Sequence, residues 1–201
     1  MTASRLLFAS FVALAICTVA VPARAGDVAC VSGTVTVSQP NDLGFEGLYK
    51  YCVTASWDVG QFGLSHIDFF LELANCECAC DAGLVQFATP SGTSNGEPEP
   101  CTVEYEGEYL CTGDPSIPDD MNGPVVKHNA ISEDDCEAGT AGTGTWCFYT
   151  SLPPAPVSGH AVAIKHGQEV CYGQIVGQLP MCQCSTPAHH SSWGRMKAVY
   201  R

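Results

Sequence analysis

The sequence is short of positive charge. Of 201 residues only eight are Lys or Arg, against 21 Asp or Glu. Arg5 and Arg24 lie in the first 25 residues, so six bases remain beyond them: Lys50, Lys127, Lys165, Arg195, Lys197 and Arg201. All the acids fall between Asp27 and Glu169. A body of that charge repels phosphate backbones and excludes nucleic acid as a partner. Long apolar runs are missing after the N-terminal segment, which excludes a helical membrane span there. Helical periodicity is missing too: no stretch beyond residue 25 keeps apolar residues at i, i+3, i+4 and i+7 over three turns. There is no H-E-x-x-H pair and no twelve-residue EF-hand loop.

Cysteine, glycine and proline are present in quantity: 13, 20 and 13 residues. Residues 1–25 read as a secretory signal, with Arg5 at the start, an apolar Leu6–Ala20, and Ala23-Arg24-Ala25 as the cleavage motif before Gly26. The segment Leu14-Ala15-Ile16-Cys17 loosely matches a lipidation box, but the bulky Ile16 fits it poorly. Cleavage removes Cys17 and leaves an even set: Cys30, Cys52, Cys76, Cys78, Cys80, Cys101, Cys111, Cys136, Cys147, Cys171, Cys182 and Cys184. In an exported chain such a set implies disulfides, up to six of them. A thiolate site for copper(I) or zinc at Cys76, Cys78 and Cys80 is the competing idea. Its C-x-C spacing is tighter than the usual C-x₂₋₄-C pairs.

Short β-rich runs recur between turn-rich segments. Nine are expected: Val28–Val37, Leu48–Trp57, Leu64–Leu73, Leu84–Ala88, Thr102–Leu110, Val125–His128, Thr143–Thr150, Ala161–His166 and Val170–Gln178. Tyr49, Tyr51, Val53, Ala55 and Trp57 alternate onto one face, whereas Leu64–Leu73 is dense enough to be buried on both. The pattern predicts an all-β, antiparallel sandwich over residues 26–184. Residues 185–201 form a polar linker and a basic tail, with Trp193, Met196 and Tyr200 among Arg195, Lys197 and Arg201. Such a tail is expected to be disordered, to dock on the acidic body, or to be read by export or anchoring machinery. One bridge can be argued locally. If Cys101–Cys111 folds as a hairpin at Glu106-Gly107, its two cysteines face each other. If it is one straight strand, about 33 Å separates them and no bridge forms.

Candidate chemistry is sparse. Ser65-His66-Ile67-Asp68 holds triad residue types, but on one strand Ser65 points away from His66 and Asp68, so it reads as strand sequence. Calcium is the better metal candidate. Asp114, Asp119, Asp120 and Asn122 share a turn-rich loop, and Glu133-Asp134-Asp135 makes a second acidic group. No other cofactor is expected. Trp57, Trp146, Tyr105 and Tyr109 would form a sugar-stacking platform if exposed, although their alternation favours the core. Glu104, Glu106 and Glu108 read as a wet face.

Three stretches resemble a family when taken together: Tyr51-Cys52-Val53-Thr54 running into Leu64-Ser65-His66, then Gly123-Pro124-Val125-Val126-Lys127, then Ala161-Val162-Ala163-Ile164-Lys165-His166-Gly167. Their order is similar to uncharacterised secreted β-sandwich domains of bacterial surface proteins, in which a Leu-Ser-His strand precedes a Gly-x-x-x-Lys strand and a late Ala-Ile-Lys-x-Gly strand. The resemblance spans residues 47–184. It implies a sandwich at or outside a bacterial surface and carries over no catalytic residue; the cysteine density and basic tail depart from it. The expectation is therefore a secreted or cell-surface, non-catalytic binding or structural domain. A calcium- or carbohydrate-binding module is the alternative, and a secreted hydrolase comes third.

Overall fold

The computed structural model describes residues 29–71, 83–117, 123–131, 135–157 and 161–181. The expected signal segment, the basic tail, Cys76, Cys78, Cys80, Cys182, Cys184, Asp119, Asp120 and Asn122 lie outside the described residues.

Twelve strands and no helix make up the described chain. They are β1 (Val31–Ser38), β2 (Tyr49–Asp58), β3 (Leu64–Phe70), β4 (Val85–Gln86), β5 (Gly92–Gly96), β6 (Cys101–Leu110), β7 (Val125–Ile131), β8 (Ala141–Thr150), β9 (Pro154–Pro156), β10 (Val162–His166), β11 (Glu169–Val176) and β12 (Gln178–Pro180). The all-β expectation holds, but the sandwich does not. Nine strands follow one another in the order β2-β1-β11-β10-β3-β7-β6-β5-β8, and β8 pairs back onto β2 to close a barrel. The closing seam is antiparallel over the full ten residues of both strands, from Tyr49 opposite Thr150 to Asp58 opposite Ala141. Alternating inward and outward side chains serve a sandwich and a barrel equally, so periodicity does not separate the two. Strand number does dictate one feature. A ring of nine cannot alternate direction all the way round, and the unavoidable parallel contact falls between β1 and β11. β4 adds to β8 beyond β5, and β9 with β12 forms a separate ribbon.

The interior is filled. Trp146, Tyr51, Tyr105, Phe69 and Phe148 are its largest fully buried side chains. Each burial of this kind contributes about 1.5–3 kcal/mol. Trp146 lies against Trp57, Phe69 and Tyr105, with ring centroids 6.1, 6.2 and 5.4 Å away. Burial of Trp57, Trp146 and Tyr105, with Tyr109 half-buried, means that these four do not form a platform for stacking on sugars.

Two further readings are corrected. The segment between the expected strands Leu84–Ala88 and Thr102–Leu110, rich in turn-forming residues, contains β5, whose glycines make room for a tryptophan: a Cβ on Gly92 would run into the Trp146 ring. The expected hairpin at Glu106-Gly107 is one uninterrupted strand, β6. Gly107 is needed for packing, because a Cβ there would overlap the Phe87 ring. Cys101 therefore bonds Cys136 instead of Cys111. Cys111 is disulfide-bonded in its own right. Cys52–Cys147 crosses the closing seam, and Cys30–Cys171 ties the chain entering β1 to β11. Three described disulfides fit an oxidising, extracytoplasmic compartment. No helix among the described residues is long and apolar enough to cross a membrane.

Candidate functional site

The barrel wall made by β10, β3 and β7 is buried on both sides, which is unusual for a sheet closed around its own core. Its inner face carries Ile67, Phe69, Val126 and Ile164. Its outer face carries Ala163, Phe70 and Val125, and Ile117 of the loop after β6 packs over them. Under that loop lies a row of charged and polar groups. The register places Asp68 between Ala163 and Lys127, and His66 between Lys165 and Asn129. Asp114 of the loop completes the group. Its carboxylate accepts from the Ser116 backbone N–H at 2.8 Å and from the Lys127 ammonium at 2.7 Å, and stands 3.1 Å from His66 Nε2. His66 Nε2 is 3.9 Å from Asp68 Oδ2 and 3.3 Å from Ser116 Oγ. Lys165 donates to the Ser116 carbonyl at 3.1 Å.

Burial sets the electrostatics. Desolvation pushes Asp68 up to about 8, with repulsion from Asp114 adding to it. Burial lowers His66 to about 4, and the nearby Lys127 charge lowers it further against the pull of Asp114. For Asp114, burial would raise the value, but the hydrogen bonds from Lys127 and Ser116 prevail and hold it at about 2. At neutral pH the cluster therefore holds a carboxylate, an ammonium, a neutral imidazole and a neutral carboxyl.

The triad types noticed in Ser65-His66-Ile67-Asp68 are rearranged by a β-bulge where β3 meets the end of β10. Ser65 is exposed, donates its hydroxyl to the Lys165 carbonyl at 2.9 Å, and sits 3.5 Å from His66 Nδ1. A serine donating elsewhere, beside an imidazole held near 4, is a poor nucleophile–base pair. Of the four expected calcium ligands, only Asp114 is described, and it turns inward onto Lys127. Asp114 was grouped with its loop neighbours because the sequence does not show that the loop folds across β3. Leu64–His66, Gly123–Lys127 and Ala161–Gly167 meet here, supplying His66, Lys127 and Lys165 from neighbouring strands, whereas Tyr51–Thr54 lies on β2 in the opposite wall.

A second feature went unnoticed in the sequence. The opposite outer wall, from β1 through β2 and β8 to β5, is lined with hydroxyls, and on β6 the row ends at Glu104, opposite Thr93. One row across it runs Thr34, Thr54, Thr145, Thr93, and the next begins Ser32, Ser56, Thr143. Thr54 and Thr145 hydroxyls share a 3.0 Å hydrogen bond, and Asn95 Oδ1 accepts from the Thr143 N–H at 2.6 Å. A shallow groove of about 370 Å³ lies along Thr54, Thr93, Thr102 and Thr145, with no charged residue in its lining. The signal was the alternation of Thr and Ser with core residues in β1, β2 and β8.

His128, on the inner face of β7, is fully buried; its Nδ1 lies 2.8 Å from Ser91 Oγ and its ring packs edge-on to Phe69 and Phe87. Burial lowers it to about 3, against 6.5 in the unfolded chain. Between those values the unfolded chain binds a proton that the native chain refuses, so this residue withdraws stability as pH falls from about 6.5 towards 3. His128→Gln cannot titrate. Its thermal midpoint is expected to drop less than that of the parent between pH 7 and pH 4; parallel curves would refute the assignment.

No protein-family model, curated protein or solved structure matches the chain.

Proposed function

We propose that the chain is an exported, non-catalytic binding domain, and that it binds a neutral polysaccharide through its hydroxyl-lined wall. The carrying observation is the charge-free groove along Thr54, Thr93 and Thr145 in a chain whose net charge is −13. Such a wall offers closely spaced donors and acceptors to an uncharged polyol without drawing in ions. A binding rather than catalytic role is supported by the placement of His66, Asp114 and Lys127, which are paired with one another beneath a loop. The signal-like N terminus and the disulfides support work outside the cytoplasm, where glycans are abundant.

Co-sedimentation with insoluble neutral polysaccharides (cellulose, chitin, mannan and β-1,3-glucan) tests this reading. The oxidised protein is expected to pellet with at least one of them. Thr54→Glu/Thr145→Glu should abolish pelleting at an unchanged thermal midpoint. Failure to pellet with any of the four, or binding that survives the double substitution, would reject the assignment.

A further inference from the structure

The ligand atoms of His66, Asp68 and Asp114 all lie within 4.8 Å of one another, and all three residues are buried. Two donor–donor edges measure 3.1 Å (His66 Nε2 to Asp114 Oδ2) and 3.9 Å (His66 Nε2 to Asp68 Oδ2). An ion held at about 2.0–2.2 Å from nitrogen and oxygen ligands in a tetrahedron sets its donors about 3.4 Å apart, between those two lengths. Asp68 supplies the independent sign of a ligand. It has no solvent-exposed surface, and apart from the neighbouring Asp114 carboxyl its oxygens have no hydrogen-bond partner among the described residues. A buried carboxyl whose polar neighbours are an imidazole and a second carboxyl is one that a shared cation would satisfy.

We propose that His66, Asp68 and Asp114 form a site for one divalent first-row metal ion, with zinc as the type. One imidazole and two carboxylates suit zinc better than calcium, which takes six to eight oxygen ligands. Ser116 Oγ, 3.3 Å from His66 Nε2, lies beside the fourth position. Ser116 also lines an open groove of about 490 Å³ with Pro115, Ile117 and Lys165, on the outer side of the loop that covers the site. Lys127 is the built-in competitor: its ammonium holds Asp114 Oδ2 and must leave that oxygen when the ion binds. The site stands apart from the polysaccharide reading, since it lies on a different wall and either can fail alone.

The experiment titrates ZnCl₂ into the metal-free, oxidised full chain by calorimetry, with CaCl₂ in parallel and CoCl₂ as an optical probe. One zinc per chain and a visible absorption band of tetrahedral cobalt are expected, with calcium far weaker. Asp68→Asn and His66→Gln should each weaken zinc by at least about 100-fold, since even losing a group that merely supports a ligand costs 10–100-fold. Lys127→Met should tighten zinc by about tenfold or more, because it removes a positive charge a few ångströms from the ion. That gain does not depend on the ligand variants folding. No zinc uptake by the parent or by Lys127→Met overturns the proposal. So does uptake unchanged by Asp68→Asn, whether or not it is lost when His189 and His190 of the polar linker are replaced.

Discussion

Trp146→Ala should cost about 3–5 kcal/mol and lower the thermal midpoint by roughly 10 °C. The indole is fully buried at the point where the barrel's aromatic side chains converge, touching Trp57, Phe69 and Tyr105. Two backbone positions are shaped around it. A Cβ on Gly92 would strike the ring on one side, and one on Gly144 would lie 2.6 Å from it on the other. Neither strand can move into the space, because β8 is pinned to β2 along its whole length and by Cys52–Cys147. The cavity therefore stays open, which places the cost at the upper end for a truncation of this size. The indole Nε1 has no hydrogen-bond partner among the described residues, so the loss is packing alone. Trp146→Phe should then recover a large part of it. Urea unfolding of the oxidised protein measures both; a loss below about 1 kcal/mol for the alanine variant would show that the interior collapses around the gap.

The same residue shows how far sequence reasoning reaches. The strand carrying Trp146 and the alternation Tyr51, Val53, Ala55, Trp57 were both visible, since a half-buried strand shows its inner face at every second position. The partners were not. Closure depends on β2 meeting β8, 95 residues apart at the Cys52–Cys147 bridge, and no local pattern encodes that pairing. β5 was lost because glycine, serine and asparagine signal turns, whereas here small residues are required by the tryptophan that leans on them. Gly107 misled in the same way and carried the Cys101–Cys111 pairing with it. The candidate site divides along similar lines. The shared face of His66 and Asp68 followed from strand period. Asp114 and Lys127 joined them only through a loop crossing the wall and a strand pairing set by the whole barrel.

That loop makes Asp114→Asn the second large effect. The variant leaves Lys127, whose side chain is only 14% exposed, beneath the loop without its counter-ion. It keeps an oxygen for the Ser116 N–H, so the backbone contact at 2.8 Å survives and the charge is what changes. Stranding a buried charge costs about 3–5 kcal/mol; with the ammonium still able to reach water at one edge, about 2–3 kcal/mol is expected. In the parent, burial and then repulsion from Asp114 raise Asp68 to about 8; the variant keeps the burial and loses the repulsion, so its Asp68 ionises at a lower pH than the parent's. Raising the pH towards 8 should therefore narrow the gap between variant and parent: Asp68 ionises first in the variant, which gains a neighbouring anion for Lys127, and above 8 the parent gains a second carboxylate beside Asp114. The double variant Asp114→Asn/Lys127→Met separates charge from shape. If the single variant suffers from an unpaired ammonium, removing that ammonium restores most of the loss, since replacing both members of a buried pair is often close to neutral. Denaturation of the four proteins at pH 7 yields the coupling energy directly. Additive losses would mean that Asp114 holds the loop by its shape and its bond to Ser116, with the ion pair incidental.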